Sequence, residues 1–157
     1  MPQLSWQECR MQTYGDYEAR VRESFARQAM MRSLGVEIVS VGAGDVVFEM
    51  PFGADFTQQH GFMHAGAITT VLDSAAGFAA LSVMPEEAGV LTIELKTSLM
   101  RVAKAERFRF TGRVVKAGRS VCFTEAVAYG LEEGGAVEVA RLTASMMVIS
   151  GREGVSG

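Results

Sequence analysis

Residues 58–80 read QQHGFMHAGAITTVLDSAAGFAA and place both histidines of the chain in a glycine-punctuated loop. A helix of unusually small residues follows this loop and carries one acid, Asp73, in otherwise apolar surroundings. A polar group is expensive to bury unless it is paired or put to chemical use. The segment therefore predicts a closely packed central helix with a functional carboxylate.

The spacing within this segment separates its polar groups. If the helix begins near Ala65, Asp73 lies eight residues further on, which is about 12 Å along the axis. His64 and the first helical N–H groups then cannot act on the same atom as Asp73 of their own chain. Either the two ends have unrelated roles, or a second helix runs antiparallel and brings its Asp73 to His64. We take a two-fold dimer with two identical sites as the working hypothesis.

The composition is typical of one soluble, well-packed domain. The chain has 157 residues, 48% of them hydrophobic, and a net charge of −3, whereas nucleic-acid-binding proteins normally carry a basic excess. No apolar run approaches the length of a membrane span, and the first residues lack the pattern of a signal peptide. Cys9 and Cys122 match no disulfide or metal pattern. We expect a cytoplasmic protein that binds neither nucleic acid nor membrane.

Hydrophobic periodicity predicts helices over residues 16–33 and about 65–83, with Asp16 as the first N-cap and Gly35 just after the first helix. Alternating patterns predict two strands within 36–50, and then strands over 90–100, 106–116, 120–131 and 137–149. An antiparallel sheet of about six strands wrapped around one long central helix is an α+β architecture, and a sandwich would leave that helix unburied. The expected organisation is an N-terminal helical extension (1–34), one domain (35–150) and a flexible tail (151–157).

Four segments resemble one protein family in sequence and in order. They are 61–66 (GFMHAG), 72–77 (LDSAAG), 91–104 (LTIELKTSLMRVAK) and 113–120 (RVVKAGRS). The first two resemble the loop-and-helix signature of hotdog-fold acyl-CoA thioesterases, in the phenylacetate-pathway (PaaI-like) group. The resemblance covers about residues 35–149. It implies hydrolysis of an acyl-CoA, assembly into a homodimer or homotetramer, and an active site between two protomers.

The resemblance also implies roles for residues around the loop and helix. Asp73 attacks the thioester carbonyl or activates a water molecule; alternatively, it is a structural carboxylate that bonds a neighbouring loop. The N–H groups of Ala65, where the family often has Gly, and of Gly66 bind the oxygen that gains charge; alternatively, they form an ordinary helix N-terminus that a side chain or water caps. His64 polarises the carbonyl, positions the loop or donates a hydrogen bond to the substrate; alternatively, it only caps the helix or packs against it. Gln58, where the family frequently has Asn, orients the water or is a solvated loop amide.

Further residues are expected to contact the substrate. Those near the reacting groups are Ser74, Gly77 and Thr92. Because CoA carries phosphates, basic residues in the matching segments are candidates for binding it. These are Arg101, Lys104, Lys116 and Arg119. His60 and His64 are separated by Gly61 and have no third ligand at suitable spacing, so we expect no metal and no cofactor beyond the CoA of the substrate.

Two alternatives to hydrolysis remain open at this point. The same fold could support a hydratase or dehydratase that acts on an acyl thioester, or the chain could be a non-catalytic acyl-CoA or lipid-binding module. The sequence also leaves open the size of the acyl group, the choice between dimer and tetramer, and the chemical step of Asp73. The N-terminal helix could cap the site or only cover the sheet.

Overall fold

The computed structural model describes residues 11–155. The helices are α1 (Tyr17–Arg27), α2 (Ala29–Ser33) and α3 (Ala65–Leu81), with a 3₁₀ turn at Ala54–Phe56. The strands are β1 (Glu37–Gly42), β2 (Asp45–Pro51), β3 (Gly89–Leu99), β4 (Arg107–Ala117), β5 (Val121–Glu132) and β6 (Gly135–Ile149). The predicted order of elements is confirmed, and most predicted bounds agree within two residues.

Within residues 11–155 the strands form one antiparallel sheet of six strands, in the order β1-β2-β4-β5-β6-β3. Strands β4, β5 and β6 form the predicted meander, and β3 pairs with β6 at one edge of the sheet. Helix α3 packs against the inner face and contacts every strand from β2 to β6. This arrangement confirms the predicted hotdog architecture, a sheet wrapped around one central helix.

The small residues of α3 allow a very close approach to the sheet. Ala75, Ala76, Ala79 and Ala80 are fully buried in the core. Gly112, in the middle of β4, faces this part of the helix, and a Cβ atom placed on it would lie 2.2 Å from the carbonyl oxygen of Ala75. Because backbone atoms cannot move aside as a flexible side chain can, this contact requires a glycine in the strand.

Hydrogen bonds connect helix α1 to the C-terminal end of α3. Asp16 caps α1 by accepting a hydrogen bond from the Ala19 N–H, as predicted. Arg20 reaches across to α3, where its Nη2 donates to the carbonyl oxygens of Leu81 (2.6 Å) and Met84 (2.7 Å). Carbonyl groups at a helix end lack helical partners, so the guanidinium satisfies them and interacts favourably with the helix dipole.

The predicted helix over 16–33 is wrong in one respect, because the structure divides it at Gln28. This residue is extended, with ψ of 99°, and its N–H bonds the carbonyl oxygen of Phe25. No proline or glycine marks the break in the sequence. A tertiary contact accounts for it, since the Gln28 side chain accepts a hydrogen bond from Ser74 of α3. No helix in the described part of the chain is long and apolar enough to cross a membrane.

We expect Gly112→Ala to lower the free energy of unfolding by about 3 kcal/mol, because the added methyl group would push α3 off the sheet. Gly134→Ala is the matched control, since a Cβ there meets nothing within 4 Å, and it should change stability by less than about 0.5 kcal/mol. Urea denaturation of both variants measures the difference. Equal stability of the two variants would contradict the close helix–sheet contact.

Candidate active site

Asp73 lies in the third turn of α3, opposite the edge strand β3. Its Oδ1 accepts a hydrogen bond of 2.8 Å from the hydroxyl of Thr92 on β3. The second carboxylate oxygen, Oδ2, has no hydrogen-bond partner within residues 11–155. The strand therefore fixes the orientation of the carboxylate and leaves one oxygen available for another molecule.

The carboxylate borders a cleft of about 290 Å³ between α1, α3 and β3. Four of the predicted site residues are brought together in its lining, namely Asp73, Ser74, Gly77 and Thr92. Phe78 and Leu81, further along the helix, and Val90 on β3 add an apolar surface. A Cβ placed on Gly77 would meet nothing within 4 Å, so the glycine borders open space in this cleft.

The loop before α3 is held by its own backbone. Thr57 and Met63 form an antiparallel bridge, and the Gln58 N–H donates to the carbonyl oxygen of Phe62 at 2.9 Å. Gly61 turns the chain with φ of +81°, a conformation that other residues rarely adopt. The His64 N–H then donates to the Phe56 carbonyl oxygen at 2.8 Å. These bonds fix the point at which α3 begins.

His64 is the N-cap of α3. Its Nδ1 accepts a hydrogen bond of 2.8 Å from the Gly66 N–H, so that donor is already used. The Ala65 N–H, at the first position of the helix, has no acceptor in the part of the chain that the structure describes. This N–H is therefore a free donor at the positive end of the helix dipole.

A second cleft, of about 160 Å³, opens at this end of α3. Gln58, Ala65 and Arg101 lie in its lining together with apolar side chains such as Phe62, Leu99 and Val102. The Gln58 Oε1 accepts a hydrogen bond from the His60 N–H. Arg101 donates through Nη1 to the Glu138 carbonyl oxygen at 3.0 Å. The cleft thus combines a backbone donor, an amide and a cation.

The two clefts of the chain are distinct. Asp73 lines the first and Ala65 the second, and two turns of helix separate these residues, which is about 12 Å. Both clefts border strand β3, the first near Gly89–Thr92 and the second near Leu99. The structure therefore keeps the carboxylate and the free N–H apart within one chain, as the spacing in the sequence required.

Comparison with known proteins identifies the family. A sequence model of the family described as "Thioesterase superfamily" matches residues 60–137, which include His64, Ala65 and Asp73. A solved thioesterase family protein from Silicibacter pomeroyi is 47% identical to this chain, with a TM-score of 0.84. The match covers 86% of this chain and 99% of that protein. This chain belongs to the thioesterase superfamily.

Two further proteins are similar to this chain. A candidate esterase of Saccharolobus solfataricus is 29% identical over 61% of this chain and 68% of its own length. The E. coli PaaI protein from the phenylacetic acid degradation operon is 18% identical to this chain, with a TM-score of 0.77. The match covers 86% of this chain and 94% of that protein. The latter likeness shows the shared hotdog fold.

The remaining predicted cations of the thioesterase lie outside both clefts. Lys104, Lys116 and Arg119 are exposed, and the last two flank the turn between β4 and β5. Their contact with the phosphates of CoA stays a prediction, whereas Arg101 borders the second cleft directly.

Cys122, the cysteine within residues 11–155, lies away from both clefts. Cys122 is buried in the core of the thioesterase, and burial raises the pKa of its thiol to about 11. It is therefore protonated at neutral pH, and it borders neither cleft. Cys9 lies outside the described residues. Asp73 is accordingly the better placed nucleophile or base.

Sequence reasoning missed the contribution of the N-terminal helices to the first cleft. Ser24 and Gln28 line it beside Asp73, and so do Gly154 and Val155 near the end of the described chain. One signal was present, because Gln28 follows Phe25 by three residues and Val21 by seven. That spacing puts a polar side chain on the apolar face of the helix, where it needs a partner.

Proposed function

We propose that this thioesterase hydrolyses an acyl-CoA to a carboxylic acid and free CoA, at a site that two protomers share. The observation that carries the proposal is the separation of the Asp73 carboxylate from the free Ala65 N–H. Thioester hydrolysis needs a group that attacks or activates water and a donor for the developing oxyanion. A single protomer contains both groups, but they lie in two different clefts, too far apart to act on one carbonyl group.

The edge strand β3 supports such a shared site. Leu95 and Leu99 pair with the buried residues Ala144 and Ala140 of β6, so they point to the helix side of the sheet. Even so, they are 40% and 53% exposed, and β3 has no neighbour on its outer side within residues 11–155. An unpaired edge with exposed apolar side chains favours pairing with another chain.

A two-fold axis at this edge would complete the site. If the β3 strands of two protomers pair antiparallel, the Gly89–Thr92 end of one strand lies towards the Leu99 end of the other. The first cleft of one protomer then adjoins the second cleft of its partner. Two identical sites result, each with one Asp73 and one Ala65 N–H. The edge strand β1 is shorter and borders neither cleft, so it favours no such arrangement.

Asp73 acts on the thioester carbonyl in this proposal. Thr92 holds Oδ1, and Oδ2 either attacks the carbonyl carbon or removes a proton from the attacking water molecule. Water supplies the oxygen of the product acid in both routes, directly or by hydrolysis of an anhydride. The carbon–sulfur bond breaks, and the CoA thiolate leaves and takes up a proton.

The start of α3 stabilises the transition state. The Ala65 N–H points to the carbonyl oxygen as its charge grows, and the helix dipole adds to the effect. His64 and Gly66 shape this end of the helix through their mutual hydrogen bond. Gln58 holds the thioester or the water from the same cleft, and Arg101, Lys104, Lys116 and Arg119 are the candidates for contact with CoA phosphates.

We expect Asp73→Asn to lower the rate of thiol release by at least about 10³-fold, because the isosteric amide is neither nucleophilic nor basic. A panel of short, medium, long and aryl acyl-CoAs, followed with a colorimetric thiol reagent, measures the rate. Glu133→Gln, in the turn between β5 and β6, is the matched control and should behave as the wild type. Thiol release by the asparagine variant at the wild-type rate would contradict the role of Asp73. If the wild type binds acyl-CoA but releases no thiol, the protein is a binding module.

We expect Ala65→Pro to lower kcat by roughly 10²-fold to 10³-fold, because proline lacks the N–H that binds the oxyanion. Proline is well tolerated at the first position of a helix, and His64 already has the extended conformation that precedes proline, with φ of −63° and ψ of 139°. Ala65→Gly, which keeps the N–H, is the control. Retained activity in the proline variant, with both variants folded by circular dichroism, would assign the oxyanion to another donor.

A further inference from the structure

The junction between α1 and α2 reaches the cleft that holds Asp73. Gln28, the residue at which the two helices separate, is half-buried and lines this cleft together with Ser24. It lies outside residues 60–137, the part of the chain that the thioesterase family model matches. The N-terminal helices therefore supply part of the wall of the candidate active site.

One hydrogen bond fixes the Gln28 side chain at the cleft. The hydroxyl of Ser74, the residue that follows Asp73 on α3, donates to the Gln28 Oε1 at 3.1 Å. The Nε2 of the same Gln28 amide, which carries two hydrogens, has no acceptor among residues 11–155. Because Oε1 is occupied and Gln28 lines the cleft, its two amide N–H donors are the polar groups that this side chain has left for a molecule bound there.

The cleft has room for a compact acyl group. An apolar cavity of about 150 Å³ can hold a benzene ring. At about 290 Å³, this cleft can take a ring with a short linker, or a short aliphatic chain. Its lining is apolar at Phe78 and Leu81 and polar at Gln28 and Ser24. A plain hydrocarbon would leave the amide donors without a partner, which costs binding energy.

We infer that Gln28 is a specificity-determining residue that favours acyl groups with an acceptor oxygen, such as a ketone, over the matching hydrocarbon acyl groups. The inference rests on the proposed hydrolysis of acyl-CoA and names the chemical class of its substrate. In the Michaelis complex the Gln28 NH₂ donates to the ketone oxygen, while Ser74 keeps the amide in place. A hydrogen bond of ordinary strength corresponds to about tenfold in kcat/KM.

The test measures thiol release from pairs of acyl-CoAs. Hexanoyl-CoA is compared with its forms that carry a ketone on the third or the fifth carbon. The readout is the ratio of kcat/KM within each pair, because a general loss of activity cancels in that ratio. For the wild type we expect a ratio of about ten in favour of one ketone form.

Two variants separate the donor from the rest of the side chain. Gln28→Glu keeps the size of the side chain and an oxygen that can accept from Ser74, but it replaces the donor by a second acceptor. Gln28→Leu removes both polar groups. Both variants should bring the ratio to about one or below, whereas Gln12→Leu, at an exposed position before α1, should keep the wild-type ratio.

The outcomes distinguish this inference from the function on which it rests. Absence of thiol release from every acyl-CoA with the wild type would overturn the proposed function and this inference with it. Thiol release with no preference for either ketone form would overturn the inference alone. So would a preference that survives in both Gln28 variants. A lower ratio in both variants, with thermal unfolding similar to that of the wild type, would support it.

Discussion

The close contact between α3 and strand β4 determines the rest of the structure. Gly112 lets the Ala75 backbone approach the sheet to a distance at which no other residue would fit. The alanines of α3 are fully buried between helix and sheet. The helix therefore has one position, and so do the two groups that it carries, the free N–H at its start and the carboxylate in its third turn. The hydroxyl of Ser82 strengthens this position by accepting from the Gly44 N–H and donating to the Ala79 carbonyl oxygen.

In the proposed function, a rigid helix of this kind requires a split site. The chemistry of thioester hydrolysis brings a carboxylate and an oxyanion donor to one carbonyl group, but two turns of α3 separate them. Bending the helix would break the contact with the sheet. In the proposed function, a second copy of the chain removes the conflict at little cost, because β3 has exposed leucines, borders both clefts and has no partner on its outer side within residues 11–155. The dimer in this account is thus a consequence of the packing of the core.

Much of the fold could be predicted from the sequence because its signals are local. Alternation of apolar residues indicated the strands, small residues the buried helix, and Asp16 the start of α1. The spacing of Ala65 and Asp73 indicated that their roles are divided. The helix break at Gln28 and the place of this residue in the Asp73 cleft could not be predicted. Both depend on a contact with Ser74, 46 residues further along the chain. For the same reason the sequence could not show that His64 uses the Gly66 N–H, while the Ala65 N–H has no acceptor among residues 11–155.

The most direct test of the shared site is complementation between two inactive variants. Asp73→Ala and Ala65→Pro protomers are purified separately, unfolded, mixed in equal amounts and refolded together, and thiol release is then measured. The account predicts recovery of about a quarter of the wild-type rate, because half of the dimers are mixed and each has one complete site of two. No recovery, although mixed dimers are present by native mass spectrometry, would place both groups of each site in the same protomer and contradict the account.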